Sequence, residues 1–326
     1  MKRLLVTGGA GFIGSNFIRH ILAKYPDYLV TNLDKLTYCG NLENLKDISG
    51  NKNYKFVKGD ISDAKVADKL VRDADIVLNF AAETHVDRSI KDPDQFLRTN
   101  VFGTYTLLEA AKAHGTKLFI QISTDEVYGS ISKGAFTELS PLLPNSPYSA
   151  AKAGGDLLAR SYFITHGLPV IITRSSNNFG PYQYPEKVIP LFVTNLLEDK
   201  KVPLYADGSN VRDWLFVIDN CEAIDTVMHK GQAGEVYNIG GGNEITNMEL
   251  TKTLLELLDK GEEYIEFVKD RPGHDKRYAL DISKIRALGW RPRHDFKGAL
   301  ELTVNWYSGN KVWWKRLIKC RKNIKY

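Results

Sequence analysis

Tyr148 and Lys152 stand four residues apart in a stretch, Tyr148 to His166, with helical periodicity. On a helix both project from one face, one turn apart. A phenol has a reference pKa of about 10 and is a poor base near neutrality. An ammonium beside it and a nicotinamide cation nearby would each favour the phenolate. Bringing that pKa to about 7 asks for about 4 kcal/mol of differential stabilisation, at about 1.36 kcal/mol per unit. Alone, a Tyr-x-x-x-Lys pair is common by chance. A second group supports it. Ser123-Thr124-Asp125-Glu126-Val127-Tyr128-Gly129 follows an apolar run that reads as a buried strand, so its polar cluster falls at a strand end. Adjacent carboxylates there could cap a helix or face solvent. In a loop that leads to Tyr148 above a nucleotide site they suit proton transfer, because close carboxylates push their pKa values apart, leaving one as acid and the other as base.

The element that would hold a cofactor against these groups opens the chain. Leu4-Leu5-Val6-Thr7-Gly8 reads as a buried strand entering a glycine-rich turn, with a helix beginning near Ser15. Gly9, Gly11 and Gly14 fit the G-x-G-x-x-G spacing. Such glycines allow the tight turn, admit a pyrophosphate to the backbone and let the helix pack closely on the strand. The helix N-terminus offers that anion free N–H groups and partial positive charge. Asp34, twenty residues after Gly14, ends a second strand, Leu29 to Leu33. There it can accept hydrogen bonds from a ribose diol and would repel a 2′-phosphate, which points to NAD.

Further apolar runs, Tyr54 to Val57, Asp75 to Phe80, Lys117 to Ser123 and Pro169 to Arg174, alternate with helix-period segments at 15–24, 63–72, 94–114 and 148–166. Runs without polar alternation suit strands covered on both faces. The predicted class is α/β, with a Rossmann-like doubly wound parallel sheet over residues 1–180. After Gly180-Pro181 come shorter strands (202–205, 214–217, 235–239, 264–268) mixed with helices, read as a smaller α/β substrate lobe over 181–308 that closes on the sheet's carboxyl edge. Apolar content of 43% and charged content of 25% are ordinary for a globular protein. The first residues hold too few apolar positions for a leader, and no stretch reaches membrane-spanning length. Cys39, Cys221 and Cys320 show no metal-ligand spacing and suit a reducing cytoplasm, and no metal site is expected. Residues 309–326 hold seven Lys or Arg and no acid, so the net +5 less those seven leaves −2 for the body, which gives no reason to expect nucleic acid.

The fingerprint, Ser-Thr-Asp-Glu-Val-Tyr-Gly and Tyr-Ser-Ala-Ala-Lys together resemble the extended short-chain dehydrogenase/reductase superfamily, in its sugar-nucleotide epimerase/dehydratase branch. The resemblance runs from residue 1 to about 308 and includes Asp34 to Tyr38, Ala81 to Ser89, Asn177 to Pro181, Arg212-Asp213-Trp214 and Asp270 to Asp275. Its most specific part is Thr124-Asp125-Glu126, since related epimerases carry small or apolar residues in place of the two acids. The resemblance implies 4,6-dehydration of dTDP-glucose in deoxysugar (dTDP-rhamnose type) biosynthesis. Tyr148, supported by Lys152 and hydrogen-bonded by Thr124, would take the 4-hydroxyl proton as hydride moves to NAD. Glu126 would take the C5 proton, Asp125 would protonate the departing 6-hydroxyl, and hydride would return to C6. It also implies a cofactor lining of Gly8, Gly11, Phe12, Ile13, Gly14, Asp34, Lys35, Leu36, Thr37, Asp60, Ile61, Phe80, Ala81, Ala82, Thr84, Thr99 and Asn178, with Tyr148 and Lys152. The sugar nucleotide would meet Thr84, Thr124, Asn177, Lys187, Val188, Pro203, Leu204, Tyr205, Arg212, Asn247, Asp270, Arg271, Pro272, Gly273 and His274. Among these, Arg212 and Lys187 suit a diphosphate on chemical grounds, while Lys187 and Val188 taken singly fit a surface helix as well. An epimerase or a dehydratase acting on another nucleotide sugar is the nearest alternative, and a catalytically idle NAD-binding scaffold the more distant one.

Two expectations concern assembly. The long helices at 94–114 and 148–166 carry apolar residues on more than one face, and the resemblance implies a homodimer through a four-helix bundle. In the tail, Trp313, Trp314, Leu317 and Ile318 share a helical face ringed by lysines. Such a helix can lie on an anionic membrane, but tryptophans packing on their own protein is the commoner arrangement and the one expected here.

Overall fold

The computed structural model describes residues 2–270 and 274–322. Its strands are β1 (Arg3–Thr7), β2 (Leu29–Asp34), β3 (Tyr54–Lys58), β4 (Ile76–Asn79), β5 (Leu118–Thr124) and β6 (Val170–Ser175), then β7 (Asn177–Phe179), β8 (Val202–Tyr205), β9 (Val211–Phe216), β10 (Val236–Ile239), β11 (Glu244–Thr246) and β12 (Ile265–Val268). Seven form one sheet in the order β10-β6-β5-β4-β1-β2-β3, with every pairing parallel. The predicted doubly wound sheet is therefore present. Strand order reverses between β1 and β4, so a crevice opens beyond their carboxyl ends. A buried polar row crosses the sheet below that crevice. The Thr7 hydroxyl donates to Asn79 Oδ1 at 2.7 Å, and Asn79 Nδ2 donates to Gln121 Oε1 at 2.9 Å.

Strand alternation sends Leu4 and Val6 to one core with Phe17, Ile18 and Ile224, and Leu5 to the opposite core with Val77, Leu107 and Phe119. A third core lies in the second half of the chain, where Phe179, Phe192, Trp214, Phe216, Leu254 and Leu300 meet. Around it stand two small sheets, β11-β9-β7 and β12-β8.

Two predicted elements differ. The run at 235–239, read with the shorter strands of the second half, pairs with β6 as β10 and completes the large sheet. A four-residue strand such as Val236–Ile239 looks alike whichever sheet it joins. The helix expected at 94–114 is helical throughout 94–113, but Leu97–Gly103 is a π-helical turn between α-helical flanks. That wider turn carries Asn100, which accepts from the Glu83 N–H at 2.9 Å and donates to the Glu83 carbonyl at 3.0 Å. Asn100 thereby pins the loop after β4. π-Turns often occur at functional sites.

The tail forms a helix, Lys311–Lys322, that packs on its own protein. Trp314 is fully buried in the third core, and its indole N–H donates to the Tyr307 carbonyl at 2.8 Å. Among the described residues no helix is long and apolar enough to cross a membrane.

Candidate active site

The crevice beyond β1 and β4 is one cleft, lined by both predicted groups. Its floor is the glycine turn. Gly8 has φ +68, and a Cβ there would lie 2.6 Å from the Ala81 backbone nitrogen. A Cβ on Gly14 would lie 2.5 Å from the Gly8 carbonyl oxygen. Neither position tolerates a side chain. The helix Phe12–Lys24 starts from Gly11 with no side-chain cap and no acid in its first turn. Its terminal N–H groups thus face the cleft without a competing anion, as a pyrophosphate would require.

Asp34, at the carboxyl end of β2, is nearly buried and accepts from the Ala10 N–H at 2.9 Å and the Leu36 N–H at 2.8 Å. Burial pushes its carboxyl up, and the two N–H donors pull it back only in part. Each carboxylate oxygen keeps a lone pair for a ribose hydroxyl. Lys35 is tied to Asp60 at 2.6 Å. Thr37, Ile61, Phe80, Ala82, Thr99 and Asn178 complete the lining, so nearly all the implied cofactor residues share one cavity. Leu36 is outside it. Its φ is +58, and its side chain packs against the first core. The cradle, the uncapped helix and the buried acid fit a dinucleotide, which these residues would hold.

The reactive end is built where β5 stops. Thr124 caps the short turn Asp125–Tyr128 by accepting from the Glu126 N–H at 3.3 Å, and its hydroxyl donates to Asp125 Oδ1 at 3.1 Å. Asp125 is buried, and its Oδ2 has no hydrogen-bond partner among the described residues. Burial first, then the neighbouring Glu126, pushes the Asp125 carboxyl well above the usual carboxylate range. A carboxyl raised in this way is suited to act as an acid.

The helix Pro147–His166 presents Tyr148 and Lys152. It opens on a capping box of Ser146 and Ser149, with proline in its first turn. An ammonium and a nicotinamide cation beside Tyr148 are expected to lower its phenol. The chain's own groups act the other way. Burial pushes it up, Glu126 and Asp125 add to that, and a hydrogen bond from Thr124 lowers it. Lys152 is itself drawn down to about 8 by burial, and its ammonium donates to the Ile122 carbonyl at 2.5 Å. The burial that makes the site dry disfavours both charged forms.

The substrate residues fall in two places. Thr84, Asn177 and Lys187 line the same cleft, and Lys187 Nζ donates to the Thr84 carbonyl at 2.8 Å. Thr124 lines it too, and the remaining described ones lie outside that lining, most of them around β8 and β9. Leu204 is buried in β8, Tyr205 meets the His274 ring at 5.8 Å, and His274 Nδ1 lies 2.6 Å from Asp270. Arg212 is buried, stacks on Tyr278 at 4.5 Å and donates to the Val211, Asp275 and Lys276 carbonyls. The Asn247 N–H donates to the Asn210 carbonyl, and Asn210 Nδ2 to that of Asp275. Val188 begins the helix Val188–Leu196, and Pro203 lies in β8. Arg271, Pro272 and Gly273 lie outside the described residues. This second group adjoins the first, since Arg212 and Asp213 bear on the acidity of Asp125, and Glu126 on that of Tyr278.

Two buried acids behind the site received no role from the sequence. Asp156, one turn beyond Lys152, is buried and paired with buried Arg174 of β6 at 3.0 Å. Tyr148, Lys152 and Asp156 share an i, i+4, i+8 face, which is legible, but the partner on β6 is not. Asp213 is buried and accepts from the Gly241 and Asn243 N–H groups at 3.0 and 2.7 Å. Among the described residues no group of three or more His, Cys, Asp or Glu is placed to hold a metal ion.

A family model described as GDP-mannose 4,6 dehydratase matches residues 5–303. The chain belongs to this dehydratase family. A dTDP-glucose 4,6-dehydratase of Streptomyces antibioticus is 54% identical to it over 322 residues, covering 97% of this chain and 95% of the relative. The solved structure of DesIV, a dTDP-glucose 4,6-dehydratase from Streptomyces venezuelae with NAD and TDP bound, has a TM-score of 0.95 at 54% identity and covers 97% of this chain and 99% of that one. A UDP-glucose 4-epimerase of Thermus thermophilus, in complex with NAD, still reaches 0.88 at 32% identity, with 94% and 99% covered. The fold is thus common to dehydratases and epimerases, and what separates the chemistries must lie in the site.

Proposed function

We propose that the chain is an NAD-dependent lyase that converts dTDP-glucose to dTDP-4-dehydro-6-deoxyglucose and water. The observation that carries this reading is the Asp125–Glu126 pair at the end of β5, beside Tyr148, with Asp125 buried and its carboxyl pushed up. Epimerisation needs no second acid and base; elimination across C5 and C6 needs both. NAD, when bound, supplies the hydride acceptor at C4 and returns the hydride at C6. Tyr148 takes the 4-hydroxyl proton, with Thr124 hydrogen-bonding the phenol and the Lys152 charge favouring the phenolate. The 4-ketone acidifies C5, Glu126 removes that proton, and Asp125 gives its own to the leaving 6-hydroxyl. Thr84, Asn177, Lys187 and the group around Arg212 hold the nucleoside diphosphate sugar between the 1–180 and 181–308 portions. The chain then acts in the cytoplasm, in deoxysugar synthesis of the dTDP-rhamnose type.

The same reading includes a homodimer through the helices around 94–113 and 147–166. Leu97, Phe102, Leu157 and Ile164 stay more than half exposed on them, which supports a covered face. Sedimentation as a monomer at micromolar concentration would remove the dimer. For the activity, the protein is incubated with NAD and dTDP-glucose and the product is weighed. Loss of one water with no net NAD consumption is expected; unchanged mass would overturn the dehydratase reading.

A further inference from the structure

We propose that the C-terminal helix is a working part of the cofactor site, with Trp313 and Asn44 as positioning residues for the glycine turn and Asp34. This rests on the dinucleotide reading above. The family model ends at residue 303, so nothing in it assigns residues 311–322 a role.

The connection is a line of hydrogen bonds between distant parts of the chain. The Trp313 indole N–H donates to Asn44 Oδ1 at 2.9 Å. Asn44 is buried in the 3₁₀ turn Leu42–Ile48, and its Nδ2 donates to the Ala10 carbonyl at 2.9 Å. Ala10 sits in the glycine turn, and its own N–H donates to Asp34 Oδ2 at 2.9 Å. One peptide unit away from the phosphate cradle, the tail thus reaches the acid assigned to the ribose. A second contact runs parallel. Tyr182, at φ +68, lines the cofactor cleft. Its ring is packed by Trp306 at 4.7 Å, Trp313 at 6.0 Å and the Arg19 guanidinium at 4.6 Å. Arg19 extends from the first helix to Asp47 and to the Asn44 carbonyl.

Glycine loses more conformational freedom on ordering than any other residue, so any part of a glycine-rich turn that must be ordered when the ligand arrives subtracts from affinity. Fixing Ala10 in advance removes part of that cost. If Trp313 loses its N–H, buried Asn44 Oδ1 is left unsatisfied and its amide is free to turn from Ala10. Trp314, anchored in the third core, keeps the helix in place when Trp313 alone is changed.

The test is NAD affinity by calorimetry on NAD-stripped full-length chain, with dTDP affinity and the melting temperature measured beside it. Trp313→Phe keeps a packed ring and removes the donor; Asn44→Asp keeps an acceptor for Trp313 and removes the donor to Ala10. Each should weaken NAD binding about three- to tenfold, the worth of one buried hydrogen bond, and leave dTDP affinity unchanged. The double variant should lose no more than about the larger single loss, because both break one line. Val312→Ala, at an exposed position of the same helix, should bind NAD as wild type does. If Trp313→Phe does not fold, Asn44→Asp decides. NAD affinity equal to wild type in the variants, or equal loss of dTDP affinity, would overturn the inference alone. A wild-type chain that bound no NAD would overturn the dinucleotide reading and this one with it.

Discussion

Lys152 donates its ammonium hydrogen bond to the Ile122 carbonyl at 2.5 Å, bridging its helix to the end of β5. The ammonium is thereby fixed at the end of β5, on a side chain one helical turn from Tyr148, at the cost of burial that draws it down to about 8 from 10.5. Because the folded value is the lower one, the unfolded chain binds more protons between those two pH values. Wild-type stability should therefore rise with pH there, relative to Lys152→Met, by about 3 kcal/mol in all. Turnover of the variant at pH 7 should fall about 10²- to 10⁴-fold. Denaturant melts from pH 7 to 10.5 check the first part; a flat difference between the proteins would contradict it.

A second titration lies far from the cleft. Asp225, on the helix Val217–Lys230, is buried and faces His20 at 2.9 Å, Lys24 at 2.6 Å, Tyr25 at 3.0 Å and, from its own helix, His229 at 2.8 Å. Burial alone would push its carboxyl up, but the hydrogen bonds from His20, Lys24 and Tyr25 outweigh it and hold it at about 2. The folded value is depressed, so this stabilisation is complete above about 4 and lost as pH falls toward 2. Asp225→Asn should cost about 2 kcal/mol at pH 6. The gap from wild type should narrow below pH 4 in urea melts.

What could be read from the sequence, and what could not, divides along contact distance. Gly8 to Gly14, Asp34, Asp125-Glu126 and Tyr148-Lys152 were legible because each signal is local: a turn only glycine can make, a strand end, a helical spacing. The large sheet was legible because strands buried on both faces leave unbroken apolar runs. β7 and β11, three residues each, carry too little pattern to be seen. The pairing of β10 with β6 and of Asp156 with Arg174 is set by tertiary contact, which no local spacing encodes. Trp313 and Asn44 lie 269 residues apart in sequence. The upward push on Tyr148 from the chain's own groups was not legible for a related reason. Lys152 is visible as a neighbour in sequence, whereas the burial that dominates both groups belongs to the fold.

The Asp156–Arg174 pair gives a third prediction. Both side chains are nearly inaccessible, and Arg174 also donates to the Tyr128 hydroxyl at 2.9 Å. Removing one partner strands the other charge in a dry interior, so Asp156→Asn or Arg174→Met should each cost about 3 to 5 kcal/mol. Asp156→Leu combined with Arg174→Met removes both charges and should be more stable than Arg174→Met alone. The Asp156 charge also favours the protonated form of Lys152 and so opposes the effect of burial there. Its loss should lower the pH at which the Lys152 charge disappears, which isotope-labelled lysine NMR would report.

The last prediction separates the two carboxyl groups. Oxidation at C4 asks for a base on the 4-hydroxyl, the part assigned to Tyr148, and should not require Glu126. Removal of the C5 proton does require a base, and glutamine has no carboxylate to receive it. Glu126→Gln should therefore bind the sugar nucleotide and transiently reduce bound NAD, yet lose hydrogen exchange at C5. Burial and Glu126 push the Asp125 carboxyl up, the direction a general acid needs. Asp125→Asn keeps the shape but cannot give up a proton, so C5 exchange should continue while loss of the 6-hydroxyl slows. Each single change should cost about 10²- to 10⁴-fold in its own step, about 3 to 5 kcal/mol of barrier. Solvent deuterium incorporation at C5 and single-turnover NADH absorbance, measured on both variants, resolve the steps. If Glu126→Gln exchanges the C5 hydrogen as fast as wild type, the base is assigned wrongly. If Asp125→Asn eliminates water at the normal rate, the proton must come from another donor, and Tyr148, protonated once it has taken the 4-hydroxyl proton, is the next group in reach of the chemistry.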